Sequence, residues 1–208
     1  MSKSIMDTNI NYKCLELENA RIHYLETGKK NAVSVLLLHG ASFTAHTWQE
    51  IGTLDILTTQ GYRAVAVDIP GYGRSQRISV SNLGFLRGIL NKLNLNLPIL
   101  VSPSMSGGYS FPFVIDNFDK LGGFVAVSTV GIERFQDELK GIKLPTLAIW
   151  GSNDRIVPID KADLLVELMP NAQKVILTDA GHACYIQKTE EFHKHLIKFI
   201  KSIDFIKE

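Results

Sequence analysis

Pro98-Ile-Leu-Val-Ser-Pro-Ser-Met-Ser-Gly-Gly-Tyr109 is the stretch that decides the fold. An apolar run ends at Val101 and passes through small residues into a segment of helical spacing, Met105 to Asn117. That is a buried strand turning sharply into a helix. The same grammar repeats on both sides of it. Ser34 to Leu38, Arg63 to Val67, Phe124 to Ser128, Thr146 to Trp150 and Lys174 to Leu177 are near-continuous apolar runs, as expected of strands buried in a parallel sheet. Helical spacing fills the intervals at 47–59, 80–93, 161–169 and 190–203; in the last, Phe192, Leu196, Phe199, Ile200 and Ile203 share one face. Ahead of the first run, two alternating segments, Tyr12 to Glu18 and Arg21 to Glu26, predict an antiparallel hairpin turning around Asn19 and Ala20. Alternating strands and helices predict an α/β domain whose working groups cluster at the carboxyl ends of the strands.

Composition narrows the function classes. A chain of 208 residues, 45% hydrophobic and 21% charged, can bury roughly 70% of its unfolded surface in one core without disulfides or a structural metal. One domain over residues 1–208 is expected, with 1–11 as a flexible N-terminus. Basic and acidic residues nearly cancel, 22 against 21, and no block of like charge appears, which argues against a nucleic-acid partner. No apolar run approaches the ~20 residues of a membrane helix, and the polar N-terminus lacks a signal-peptide core. Cys14 and Cys184 are far apart and suit neither a zinc site nor a disulfide framework. These features predict a cytoplasmic protein with no metal, no cofactor requirement, no membrane or nucleic-acid partner, and a monomer by default.

Ser102-Pro-Ser104-Met-Ser106 has the form of a nucleophile elbow in which serines replace the usual flanking glycines. Ser104-x-Ser106-x-Gly108 is a competing frame. The strand ends at Val101, and an elbow places its nucleophile about three residues further on, which favours Ser104. A serine needs a base, and the base an orienting acid. Asp154 follows the run ending at Trp150, and His182 follows the run ending at Leu177, giving the chain order Ser, Asp, His. Asp179 reads as a turn residue; His23, His46, His193 and His195 read as edge, helix-start or flank positions. Oxyanion donors are expected from the backbone N–H groups of Met105 and Ala41, with Gly40 allowing close approach and His39 bonding nearby loops. Ser42 either lines the pocket or begins the next helix. Cys184 reads as a buried, inert thiol or a neighbour of the site. The glycine-rich loop Asp68 to Ser75 lacks phosphate-loop and dinucleotide spacing and reads as a structural turn.

His39-Gly40, Asp68-x-Pro70-Gly71-x-Gly73-x-Ser75, the elbow, Gly151-x-x-Asp154-x-x-Val157-Pro158 and Gly181-His182 together resemble the α/β-hydrolase superfamily. Ser34 to Gly40, Thr47-Trp-Gln, Gly61 to Ala66 and Ser102 to Gly107 are similar to the small α/β-hydrolase domain-containing protein 14 group, which shares the serine-flanked elbow. The resemblance implies a sheet of about eight strands, serine hydrolase activity on small acyl esters, and a lysine deacetylase activity with coenzyme A as acyl acceptor. The sequence contains no obvious basic cluster that would mark a coenzyme A site. Only about sixteen residues, Thr129 to Leu144, stand where many hydrolases carry a lid, so an open site suited to a small acyl ester or an acylated protein side chain is expected. The alternatives are a short-chain carboxylesterase or thioesterase, and a binding protein on a hydrolase scaffold.

Overall fold

The computed structural model describes residues 10–203. Of the segment 1–11, residues 1–9 lie outside the described residues, and Asn11 already opens the first strand. The strands are β1 (Asn11–Leu17), β2 (Ala20–Thr27), β3 (Ser34–Leu37), β4 (Arg63–Val67), β5 (Ile99–Pro103), β6 (Gly123–Val127), β7 (Thr146–Gly151) and β8 (Ala172–Leu177). They form one sheet in the order β1-β2-β4-β3-β5-β6-β7-β8, in which β1 and β2 are antiparallel to their neighbours and the rest are parallel. The hairpin turns at Glu18 and Asn19, one residue earlier than expected. Both adopt positive φ, 48° and 60°, the pairing that matches the twist of a two-residue hairpin.

Alternating side chains divide the core into two layers. Leu36, Val65, Leu100, Phe124, Ala148 and Trp150 face one cluster, closed by Phe85, Leu86 and Ile89 of α3 (Asn82–Leu93), Phe111 and Val114 of α4 (Gly107–Asn117), and Leu165 of α6 (Asp160–Leu168). Val35, Leu37, Ala64, Val101, Val125 and Ile149 face the other. That layer is closed by Trp48 of α1 (Ala45–Glu50), Leu54 and Leu57 of α2 (Thr53–Thr59), and Phe192, Leu196 and Phe199 of α8 (Thr189–Ser202). Both faces of the central strands are therefore buried, which is why their sequences lack alternation. β8 departs from that expectation: as an edge strand it leaves Gln173 and Lys174 exposed.

The helices over 161–169 and 190–203 shift by one residue, and three others differ more from the sequence reading. The segment 47–59 is two helices, because Gly52 takes a left-handed φ of 72° that no continuing helix tolerates. Thr44 caps the first of them, so Ser42 does not begin it. The segment 80–93 starts at Asn82, where Ser81 Oγ accepts the Gly84 N–H at 3.0 Å. The third is the elbow helix: one tight turn at Ser104–Ser106 precedes α4. Between β6 and β7 the chain forms only a tight helical turn at Ile132–Phe135 and α5 (Gln136–Leu139). Among the described residues no helix is long and apolar enough to cross a membrane.

Candidate active site

β5 delivers the chain to Ser104, whose φ of 51° lies in the left-handed region that disfavours a side chain. Such a conformation costs about 1–3 kcal/mol and persists only where the surroundings impose it. Here the constraint is visible. The Ser104 carbonyl accepts the Val130 N–H at 3.1 Å, and Thr129 Oγ1 donates to the Ser102 carbonyl at 2.6 Å. A Cβ on Gly107 would run into the Val130 carbonyl, so the helix can start this close to the β6 end only with glycine there.

The serines flanking the elbow are interior residues. Ser102 and Ser106 are fully buried; Ser102 Oγ lies 2.9 Å from Ser106 Oγ and donates to Ser110 Oγ at 2.7 Å, while Ser106 Oγ donates to the Pro103 carbonyl at 2.7 Å. Small hydroxyls fit where glycine is usual because each finds a hydrogen bond inside the turn. Ser106 is thereby turned away from the site. Ser104 Oγ instead stands 2.8 Å from His182 Nε2.

His182 Nδ1 lies 3.0 Å from Asp154 Oδ2 and 3.2 Å from Oδ1. An ionised carboxylate only accepts, so Nδ1 carries the proton and the Nε2 lone pair accepts from the Ser104 hydroxyl. Burial alone would raise the Asp154 pKa. Hydrogen bonds from the Val157 N–H, His182, the Ile156 N–H and the Ser128 hydroxyl outweigh it and hold the carboxyl below its ordinary value. The two backbone bonds, each 2.9 Å to Oδ1, also fix the carboxylate plane.

Asp154 and His182 arrive on separate loops, and Gly151 brings those loops together. A Cβ there would collide with the carbonyls of Ala180 and Gly181. Asn153 N–H bonds the Ala180 carbonyl at 2.8 Å, and Gly181 N–H donates to Gln187 Oε1 at 2.6 Å from α7 (Cys184–Gln187). The sequence reading missed α7; at four residues it is too short for periodicity to register.

On the other side of Ser104, a Cβ built on Gly40 would sit 3.5 Å from Ser104 Cβ and 4.0 Å from its Oγ. Gly40 therefore lies close against the Ser104 side chain. His39 is fully buried; Ile69 N–H donates to its Nε2 at 2.9 Å, so Nδ1 carries the proton and donates to the Gly40 carbonyl at 2.8 Å. Burial keeps its pKa low, and it bridges two loops as a neutral ring. Ser42 is exposed in the same loop. Beside the site, Tyr72, Arg77, Asn82, Phe85 and Tyr109 line a cleft of about 520 Å³.

Ser128 is the residue that sequence reasoning passed over. It ends the run 124–128 with a φ of 45°, and its hydroxyl reaches both Asp154 and, at 3.9 Å, Cys184 Sγ. Its signal was a polar residue at a central strand's carboxyl end. Cys184 is buried, and that burial pushes its thiol up to about 11. Asp179, with φ 56°, donates its N–H to Ser152 Oγ and shapes the turn. His46 is exposed. His193 is a partly buried flank residue of α8, its Nε2 meeting Thr53 Oγ1 of α2 at 2.9 Å.

Comparison with known proteins identifies the family. The pattern of the alpha/beta hydrolase fold matches residues 108–189, a span that contains Asp154 and His182. Protein ABHD14A of Mus musculus is 38% identical over 191 residues, covering 88% of this chain and 77% of the relative. The Homo sapiens protein named "Putative protein-lysine deacylase ABHD14B" is 37% identical over 178 residues, covering 82% and 84%. Among solved structures, a "predicted CIB-like hydrolase" from Thermoplasma acidophilum superposes with a TM-score of 0.89 at 25% identity, over 93% of this chain and 98% of that one.

Proposed function

Because the chain belongs to the ABHD14 group of α/β-hydrolases, we propose that it is a serine hydrolase that removes small, acetyl-like acyl groups through an acyl-enzyme. The observation that carries this reading is the unbroken relay from Ser104 Oγ to His182 Nε2 at 2.8 Å and from Nδ1 to Asp154 Oδ2 at 3.0 Å, on a strained elbow. His182 takes the Ser104 proton as the hydroxyl attacks the acyl carbonyl. Asp154, held ionised by its backbone bonds, stabilises the imidazolium that forms. The N–H groups of Ala41 and Met105 receive the oxyanion, and His182 then protonates the leaving group. Water resolves the acyl-enzyme, with the coenzyme A thiol as the alternative acceptor; free acetate or acetyl-coenzyme A as product distinguishes them.

The short connection between β6 and β7 supports an open site, and the name of the ABHD14B relative supports acyl-lysine side chains as well as esters. A site without a cover gives a long chain nothing to bury against, so turnover should fall from acetate to octanoate esters. Faster turnover of octanoate would overturn the open-site reading. The deciding experiment is incubation with a fluorophosphonate, followed by peptide mass spectrometry alongside chromogenic acetate turnover. A single adduct on Ser104 that tracks the loss of turnover is expected. An adduct on Ser106, or none on folded protein, would overturn the assignment.

A further inference from the structure

The edge hairpin carries a second imidazole–carboxylate pair, outside the site above. His23 on β2 is 7% exposed, and its Nδ1 lies 2.9 Å from Asp68 Oδ2. Its backbone N–H donates to Ser75 Oγ and its carbonyl accepts the Asp68 N–H. Both therefore point to the β4 side. In an antiparallel ladder a residue's N–H and C=O point the same way, so His23 makes no ladder bond to β1. Cys14, directly opposite it, is then the partner in a non-hydrogen-bonded pair, the closer kind, with both side chains on one face.

With Nδ1 turned to Asp68, the ring's other nitrogen, Nε2, is buried and finds no hydrogen-bond partner among the described residues. Cys14 and His23 line one cavity of about 510 Å³ together with Tyr12, Arg21, Arg74 and Lys13, whose charge is paired with Glu26. The thiol is exposed. Tyr12 roofs the histidine, its ring 6.4 Å from the imidazole and its hydroxyl held by Gln49 Oε1 at 2.6 Å.

We propose that Cys14 is a site of thiol–disulfide exchange with small disulfides that bear carboxylates, and that His23 is its base. His23 Nε2 takes the Cys14 proton, and the thiolate attacks one sulfur of the incoming disulfide. The S–S bond breaks, a mixed disulfide forms on Cys14, and the departing thiolate recovers the proton from His23. One disulfide is consumed and one is made. Arg74 at the rim favours an anionic partner; Arg21 contributes less because Glu16 stands opposite it on β1. The pairing is independent of Ser104.

The test incubates the full chain with glutathione disulfide or, separately, with cationic cystamine, and follows the mixed disulfide at Cys14 by peptide mass spectrometry, with N-acetylcysteine as reference thiol. Cys14 should react with glutathione disulfide about tenfold faster than the reference, and His23→Gln should lose most of that gain with both reagents. Arg74→Gln should slow glutathione disulfide by roughly threefold and speed cystamine, because the charge that attracts an anion repels a cation. Thermal melting checks each fold; should His23→Gln not fold, the Arg74→Gln ratio between the two reagents carries the test. Reaction at the reference rate, with no discrimination between reagents, would overturn the proposal. Ser104→Ala should leave these rates untouched, so failure here and failure of the hydrolase reading are separable.

Discussion

His182–Asp154 and His23–Asp68 are nearly the same couple, built on the two flanks of one sheet. Each histidine faces a carboxylate through Nδ1, at 3.0 Å and 2.9 Å. Each aspartate follows a parallel strand, β7 or β4. They part company at Nε2. The first meets a hydroxyl raised on a strained turn, while the second is buried without a hydrogen-bond partner among the described residues, on the strand residue paired with Cys14. Their aspartates differ as well. Asp154 serves its histidine, its own loop and the Ser128 hydroxyl, whereas Asp68 takes the Ala45 N–H from α1 at 2.8 Å and the Arg74 N–H at 2.9 Å. An imidazole–carboxylate pair is thus a generic orienting device, and its role is set by what stands at the far nitrogen.

The largest expected effect falls on that far partner. Ser104→Ala should lower kcat by roughly 10⁴-fold, since relay members act as a unit. Ser106→Ala should keep turnover within about tenfold while lowering stability by about 1–2 kcal/mol, because it removes the hydroxyl that donates to the Pro103 carbonyl. Steady-state kinetics and urea melts on both variants check this, and an active Ser104→Ala would break the comparison outright.

Replacing each aspartate by asparagine should separate the couples next. Asp154→Asn should cost roughly 10³-fold or more in kcat, because the amide can offer the imidazole the wrong partner and favour the wrong tautomer. Asp68→Asn should instead cost about 2–4 kcal/mol of stability, with a much smaller kinetic effect. Its amide group would confront N–H donors where a carboxylate now accepts. For a chain of this size that is a fall in Tm of about 5–15 °C. Equal kinetic losses in both variants would show that the hairpin couple belongs to the reaction.

Sequence could reveal one couple and not the other for a physical reason. Ser104, Asp154 and His182 each follow a near-continuous apolar run, so the strands that carry them announce the position of each. His23 lies inside a strand of the hairpin, and nothing in Cys14-Leu-Glu-Leu or Arg21-Ile-His-Tyr states that β4 ends beside it. The two-helix form of 47–59 was hidden for another reason. Gly52 inside a helical pattern is tolerated as often as it breaks one, and only its left-handed φ decides. Likewise, the serines at 102 and 106 looked like a weakened elbow until their hydrogen bonds to Ser110 Oγ and the Pro103 carbonyl accounted for them.

A third histidine sharpens the comparison with the smallest effect. His193 Nε2 meets a hydroxyl, Thr53 Oγ1, and burial pushes its pKa down to about 4. In the folded chain it therefore stays neutral until about pH 4, whereas in the unfolded chain it takes up a proton near 6.5. Between those values the unfolded state binds more protons, so the His193 contribution to stability must fall as pH drops from about 6.5 to about 4 and level off below. His193 is only partly buried, and water screens part of the penalty, which leaves a loss of about 1–2 kcal/mol across that interval. Urea midpoints measured from pH 7 to 4 should show this slope in the wild type. His193→Gln, which has no proton to take up, should flatten it. Parallel curves for the two proteins would mean that the ring at the α2–α8 seam is not held neutral by burial, and that a histidine needs no carboxylate to keep its proton inside this fold.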